Sequence, residues 1–225
     1  MIEYNKSKPL ILIHIPKTAG ISVREIYKEW FGDNLLFHYF DGANNKLPKK
    51  HDIFEMHTPK NPFFVYGHFN RERHFGIEQY YPEVDQFITI LREPFEIAVS
   101  GFFYVKKINP EWRVQLKLPE GGLTEFIENL DLGLFNYFPC DVTADNYREV
   151  IESYFVEVGV TEYLDESMQR IAKKLKQEYI PGSLGRLNTA KRDQEVTPEV
   201  KARFIKRHQL EYDVYNYVLE MYAAT

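Results

Sequence analysis

Cysteine is nearly absent from this sequence: Cys140 is the only one among 225 residues, so no internal disulfide can form. The same scarcity leaves a cysteine-based metal site without support, and we expect no bound metal. Positive charge is not in excess either, because 33 aspartates and glutamates outnumber 28 lysines and arginines, for a formal net charge of −5. A protein of this charge lacks the basic field that nucleic acid requires, so nucleic acid is not expected as a partner.

Long hydrophobic runs are missing as well. The first eight residues are polar, and the apolar run that follows is too short for a signal peptide or a membrane span. We therefore expect a soluble cytoplasmic protein without a membrane anchor. Glycine is also missing between Leu10 and Pro16, just before Lys17, so the nucleotide P-loop G-x-x-x-x-G-K-[ST] is not present there.

What is present is the composition of an ordinary globular protein, with 44% hydrophobic and 27% charged residues. The length suffices for a sizeable core, and no repeat or low-complexity segment divides the chain. We interpret residues 1–225 as a single domain. The 17 phenylalanines and 16 tyrosines supply much of the core, and a surplus could line a cleft for a sugar or a nucleobase.

Apolar runs and helical spacings alternate along the chain. Strands are predicted at residues 10–15, 63–66, 87–91 and 155–159. Helices are predicted from Ser22, from Pro94, after a Thr124 cap, over residues 164–175, after a Thr197 cap and over residues 210–222. Near-continuous apolar strands that alternate with helices predict an α/β fold whose central parallel sheet is flanked by helices on both faces. In such sheets, ligands bind beyond the carboxyl ends of the strands.

The first candidate site lies between the first strand and the first helix. Pro16 ends the strand, residues 17–20 form a tight turn, and apolar residues recur at helical spacing from Ser22 onwards. Free N–H groups at a helix N-terminus, beside a lysine, make an anion site. The residues expected to hold the anion are Pro16, Lys17, Thr18, Ala19, Gly20, Ile21 and Ser22.

A second anion site is predicted where the strand at residues 87–91 ends. Arg92 follows this strand, and Ser100 lies slightly over two helical turns further on, so the two side chains can approach the same side. An arginine offers a planar fork for a phosphate and a serine hydroxyl adds a neutral donor, which suits one phosphate bound without a metal. Two sites of this kind imply a ligand with two separate anionic ends.

A candidate proton acceptor follows the strand at residues 63–66. His68 comes almost directly after it, and a histidine with a near-neutral pKa can take a proton from an acceptor hydroxyl. The alternatives for this role are Glu72, His74 and Asp41. The groups that follow predicted strand ends, and that we therefore expect on one edge of the sheet, are Lys17, His68 and Arg92.

The order Pro-Lys-Thr-Ala-Gly at residues 16–20 resembles the 5′-phosphosulfate loop of sulfotransferases that use 3′-phosphoadenosine 5′-phosphosulfate (PAPS). The arrangement of Arg, Pro and Ser over residues 92–100 is similar to their 3′-phosphate motif. The pattern most resembles the branch that includes the heparan 2-O-sulfotransferases and small bacterial carbohydrate sulfotransferases. Those enzymes have a Gly-His pair just before the Arg-x-Pro strand, and its histidine serves as the base. The resemblance covers roughly residues 8–222.

The resemblance implies a P-loop-like sulfotransferase domain that binds PAPS without a metal and sulfates a hydroxyl-bearing acceptor, expected to be a saccharide. It implies Lys17 and His68 as catalytic residues, with Arg92 and Ser100 on the 3′-phosphate. In this family a later loop closes over the nucleotide. The matching residues here are Asn188, Thr189, Lys191 and Arg192, with Arg186 as a further basic group.

Two other hypotheses stay open on the sequence. One is a nucleotide kinase or NTPase with a degenerate P-loop, and the other is a non-catalytic glycan-binding relative. Neither the identity of the acceptor nor the oligomeric state is predicted, because acceptor choice depends on surface loops such as residues 41–51 and 108–148.

Overall fold

A five-stranded parallel sheet forms the centre of the protein, in a computed structural model that describes residues 1–107, 118–184 and 192–223. Its strands lie in the order β2-β3-β1-β4-β5. They are β1 (Leu10–Ile13), β2 (Leu35–His38), β3 (Phe64–Gly67), β4 (Phe87–Leu91) and β5 (Phe155–Val160). Every neighbouring pair is parallel, which confirms the predicted parallel sheet.

The described helices connect and cover these strands. They are α1 (Gly20–Phe31), α2 (Ile53–Met56), α3 (Ile77–Tyr80), α4 (Pro94–Lys107), α5 (Gly122–Asn129), α6 (Tyr147–Tyr154), α7 (Leu164–Leu175), α8 (Pro198–Arg207) and α9 (Gln209–Ala223). Thr197 caps α8 as predicted, since its hydroxyl accepts a hydrogen bond from the Val200 N–H. Among these helices, none is both long enough and apolar enough to cross a membrane.

Alternate residues of each strand face two separate cores, because successive side chains of a strand point to opposite faces. Ile11 and Ile13 of β1 belong to the core that includes Val214 of α9. Leu10 and Leu12 belong to the core that contains residues of α1 and α7. Each fully buried side chain of this type contributes roughly 1.5–3 kcal/mol to folding. The sheet is therefore covered by helices on both faces, and the predicted α/β fold class is confirmed.

The local predictions differ from the structure in several places. Strand β2 and helices α2, α3 and α6 were not predicted from the sequence, and α1 begins at Gly20 rather than at Ser22. The predicted Thr124 cap is wrong, because α5 begins at Gly122. The free N–H of Gly121 is satisfied instead by the carboxylate of Glu125, at 2.7 Å. The N–H of Leu123 in the first turn donates to the side chain of Gln194 at 2.8 Å, so other side chains satisfy this helix start.

The topology determines where the candidate residues meet. Strand β1 lies between β3 and β4, and all three are parallel, so their carboxyl ends share one edge of the sheet. Lys17, His68 and Arg92 follow these three neighbouring strands. The predicted placement of the three groups on one edge of the sheet therefore agrees with the strand order.

Candidate active site

The turn after β1 is held in an unusual backbone conformation. Lys17 and Ala19 have φ values of 70° and 63°, in the left-handed region that non-glycine residues seldom adopt. Between them, Thr18 is buried and its hydroxyl donates to the carbonyl of Ile15 at 2.8 Å. Left-handed residues of this kind cost on the order of 1–3 kcal/mol each and concentrate at functional sites. Turns of this type also direct successive backbone N–H groups towards an anion.

Gly20 begins α1 directly against the side chain of His14. A Cβ atom at Gly20 would lie 1.7 Å from Nε2 of His14, so no other residue fits without displacing the imidazole. The carbonyl of Gly20 accepts a hydrogen bond from the hydroxyl of Tyr66 at 2.8 Å. The remaining predicted residues of this site also lie here: Pro16 precedes the turn, and Ile21 and Ser22 are in the first turn of α1.

The ammonium group of Lys17 lies over the ring of Tyr104, 3.9 Å from its centroid. Burial, together with the nearby positive charges of Arg92 and Lys107, lowers the pKa of Lys17 to about 8. Among the described residues, no carboxylate lies within salt-bridge distance of Lys17. A partly desolvated cation without a protein counter-ion is a suitable partner for a ligand anion.

Arg92 connects this turn to helix α4. One terminal nitrogen of its guanidinium donates to the backbone carbonyl of Lys17 at 3.1 Å, and the other donates to Oε2 of Glu96 at 3.1 Å. Ser100 is half-buried on α4, one helical turn beyond Glu96. Residues four apart share one side of a helix. Glu96 therefore lies between the two predicted members of the phosphate pair.

The predicted later loop is described only at its end. Asn188, Thr189 and Lys191 lie outside the described residues, as does Arg186. Arg192 is described, and both of its terminal nitrogens donate to the carboxylate of Glu96, at 3.1 and 2.6 Å. The structure thus brings Arg192 to the same carboxylate as Arg92, although the two arginines are far apart in the sequence.

His68 is oriented by the residue that follows β1. Its Nδ1 lies 2.5 Å from the carbonyl oxygen of His14, and because a carbonyl can only accept, Nδ1 carries the proton. Nε2 is then the unprotonated nitrogen of the neutral ring. Burial lowers the pKa of His68 below its usual value, which keeps the ring neutral at pH 7. The rings of His14, Tyr39 and Tyr137 lie around it.

The residue before His68 lies too close to the neighbouring strand to be anything but glycine. A Cβ atom at Gly67 would lie 2.0 Å from the carbonyl oxygen of His38 on the neighbouring strand β2. The next N–H, that of His68, donates to this same carbonyl at 2.9 Å. The close approach of the two strands therefore requires glycine, and it fixes the backbone from which the imidazole extends.

The alternative bases lie in different surroundings. The carboxylate of Asp41 accepts from the backbone N–H groups of Ala43 and Asn44 and from the Asn44 side chain, within an exposed surface turn. Glu72 and His74 are exposed in the loop after His68. Of the candidate bases, His68 combines burial with a hydrogen bond that leaves one ring nitrogen free to accept a proton.

Three residues of the site were not singled out from the sequence: Glu96, Tyr104 and His14. The spacing of Glu96, four residues after Arg92 and four before Ser100, is a signal that could have found it. The cation–π contact of Tyr104 and the packing of His14 on Gly20 have no such signal, because they depend on how separate elements meet.

Comparison with known proteins includes a distant structural likeness. No protein-family model matches the chain, and no curated protein sequence matches it. Among solved structures, the chain is similar to mouse sulfotransferase SULT7A1 complexed with PAP, with 12% sequence identity and a TM-score of 0.44. The match covers 91% of this chain but only 65% of the mouse chain. A likeness this distant supports no conclusion about activity.

Proposed function

We propose that this chain is a PAPS-dependent sulfotransferase that transfers a sulfuryl group to an acceptor hydroxyl, with a carbohydrate as the expected acceptor. The observation that carries the proposal is the direct contact between the two anion sites. Arg92 donates to the carbonyl of Lys17 at 3.1 Å, so the turn after β1 and the start of α4 adjoin. A single ligand with two anionic ends can therefore reach both sites.

The residues present fit a nucleotide that is phosphorylated at both the 3′ and the 5′ position of its ribose. Lys17 and the N–H groups of residues 17–22 would hold the 5′-phosphosulfate. Arg92, Ser100 and Arg192 would hold the 3′-phosphate through charge-assisted and neutral hydrogen bonds. ATP has no 3′-phosphate and would leave this second group of donors without a partner.

Each catalytic residue has a definite task in this proposal. The bound nucleotide supplies the sulfuryl group and a phosphate leaving group. His68 takes the proton of the acceptor hydroxyl at Nε2, while its Nδ1–H stays bonded to the carbonyl of His14, which also stabilises the imidazolium that forms. Lys17 and the backbone donors beside it stabilise negative charge on the leaving oxygen, an effect typically worth about 3–4 kcal/mol per donor.

Calorimetric titration without metal tests the proposal. Adenosine 3′,5′-bisphosphate (PAP), the product left after sulfate transfer, should bind more tightly than ATP. Tighter binding of ATP, with magnesium-dependent turnover, would favour a kinase or NTPase instead. Tight binding of PAP without sulfate transfer to any of a panel of saccharides, phenols and small alcohols would favour the non-catalytic hypothesis.

A further inference from the structure

Glu96 occupies the middle of the predicted 3′-phosphate site. It lies on α4 between Arg92 and Ser100, and its Oε2 accepts from Arg92 at 3.1 Å and from Arg192 at 2.6 Å. Its Oε1 accepts a further bond from Arg192 at 3.1 Å. The hydrogen bonds from Arg192 hold the pKa of the Glu96 carboxyl below its usual value, so the group stays charged at neutral pH. A single carboxylate oxygen is thus shared by two guanidinium groups.

Two guanidinium groups brought this close together repel each other unless an anion lies between them. The carboxylate supplies that anion before any ligand arrives. A guanidinium also has more N–H donors than the two that a bidentate carboxylate engages. Arg92 and Arg192 can therefore remain bonded to Glu96 and still present donors to a second oxyanion beside it.

The segment that carries Arg192 does not need Glu96 in order to stay at this place. The carboxylate of the next residue, Asp193, pairs with Lys106 of α4 at 2.6 Å. The side chain of Gln194 accepts from the N–H of Leu123 on α5 at 2.8 Å. These contacts attach the backbone of the segment to α4 and α5. What Glu96 adds is the orientation of the Arg192 guanidinium towards Arg92.

We infer that Glu96 is a positioning residue for the 3′-phosphate subsite: it holds the guanidinium groups of Arg92 and Arg192 together so that both donate to one phosphate. This inference rests on the proposed function, because it concerns the same nucleotide site. It predicts that Glu96 affects recognition of the 3′-phosphate and leaves recognition of the 5′-phosphate unchanged.

The test compares two nucleotides that differ only in the 3′-phosphate. Dissociation constants for PAP and for adenosine 5′-monophosphate are measured by calorimetry on the full chain and on Glu96→Gln. The variant should bind PAP about tenfold more weakly, the equivalent of one charge-assisted hydrogen bond, and adenosine 5′-monophosphate as before. In an Arg192→Gln background, Glu96→Gln should have little further effect, because the two residues act as one unit.

Two control variants separate positioning from general effects. Glu166→Gln breaks a similar pair with Arg170, four residues apart on α7, that involves none of the predicted site residues, and it should leave both constants unchanged. Asp193→Asn loosens the same segment without touching Glu96, and should weaken PAP binding less than Glu96→Gln does. Thermal unfolding of each variant verifies that it is folded.

Other values of the dissociation constants would count against the inference. Tighter PAP binding by Glu96→Gln would show that the carboxylate competes with the phosphate, and an unchanged constant would show that it has no part in the subsite. Either result overturns the inference while leaving the proposed function standing. If the unaltered chain itself binds both nucleotides equally, the 3′-phosphate subsite does not exist, and the proposed function fails together with the inference.

Discussion

The guanidinium of Arg92 donates a hydrogen bond to the backbone carbonyl of Lys17, at 3.1 Å. A residue that follows β4 thereby holds the turn that follows β1, and the two strands are neighbours in the sheet. Lys17 is one of the left-handed residues of this turn, and strained conformations persist only where surrounding contacts impose them. The contact therefore does two things: it joins the two predicted anion sites and it supports the backbone of one of them.

Replacement of Lys17 by alanine should lower turnover by about two to three orders of magnitude, the usual loss when one donor to a developing oxyanion is removed. The fold should remain, because the side chain is half-buried and makes no described salt bridge. Initial rates of sulfate transfer from PAPS measure the effect. Lys28→Ala, which removes an exposed lysine from α1, is the control and should retain full activity. Normal turnover in Lys17→Ala would exclude Lys17 from the mechanism.

The value of kcat/KM should fall at alkaline pH as Lys17 loses its proton. Its pKa in the free protein is about 8, and only the protonated form carries the charge that attracts the 5′-phosphosulfate. On the acid side, kcat/KM should fall only at a pH below the usual pKa range of histidine. The reason is that the pKa of His68 is lowered and that only its neutral ring accepts a proton. Lys17→Arg should move the alkaline limb upward in pH, and a limb that stays in place would assign it to another group.

Replacement of His68 by asparagine should lower turnover by about two to four orders of magnitude, the usual contribution of a general base. Asparagine can still donate an N–H to the carbonyl of His14, but it cannot take the proton from the hydroxyl that is to be sulfated. Binding of PAP should be nearly unchanged, since His68 makes no described contact with the turn that holds Lys17. Rates and calorimetry on the same variant separate the two effects. An equal loss of PAP binding would make His68 structural.

Replacement of Gly20 by alanine should lower the free energy of unfolding by about 1–3 kcal/mol, the usual cost of overpacking. The new Cβ would lie 1.7 Å from Nε2 of His14, so the imidazole or the helix must move. Urea denaturation measures the loss. Gly101→Ala on α4 is the matched control, because no atom lies within 4 Å of its added Cβ.

Alanine at position 101 should be neutral or stabilising by about 0.5–1 kcal/mol, since it replaces glycine inside a helix. The cost of Gly20→Ala should also shrink in a His14→Ala background, where the imidazole is gone. Equal costs in both backgrounds would locate the strain elsewhere than at this contact.

The sequence allowed the sheet's central strands and the residues at their ends to be predicted, because buried parallel strands are near-continuous apolar runs. Strand β2 was missed because its pattern is mixed: it contains the exposed Phe37 and the buried polar His38. Helix α6 was missed because its eight residues, Tyr147–Tyr154, offer little more than two turns in which a helical spacing can show.

The candidate site also has parts that the sequence predicts and parts that it does not. The turn at residues 17–20 and the position of His68 after its glycine follow from local patterns. The shared carboxylate of Glu96 does not, because Arg192 reaches it from 96 residues further along the chain. The contact between His68 and the carbonyl of His14 could not be predicted either, since every residue type has a backbone carbonyl.

His14 has a consequence for how the reacting groups are spaced. Its imidazole abuts the first residue of α1 on one side, and its carbonyl receives the proton-bearing nitrogen of His68 on the other. One residue at the end of the central strand thus contacts both His68 and the start of α1. Under the proposed function, the contacts of His14 therefore set how far the base lies from the bound nucleotide.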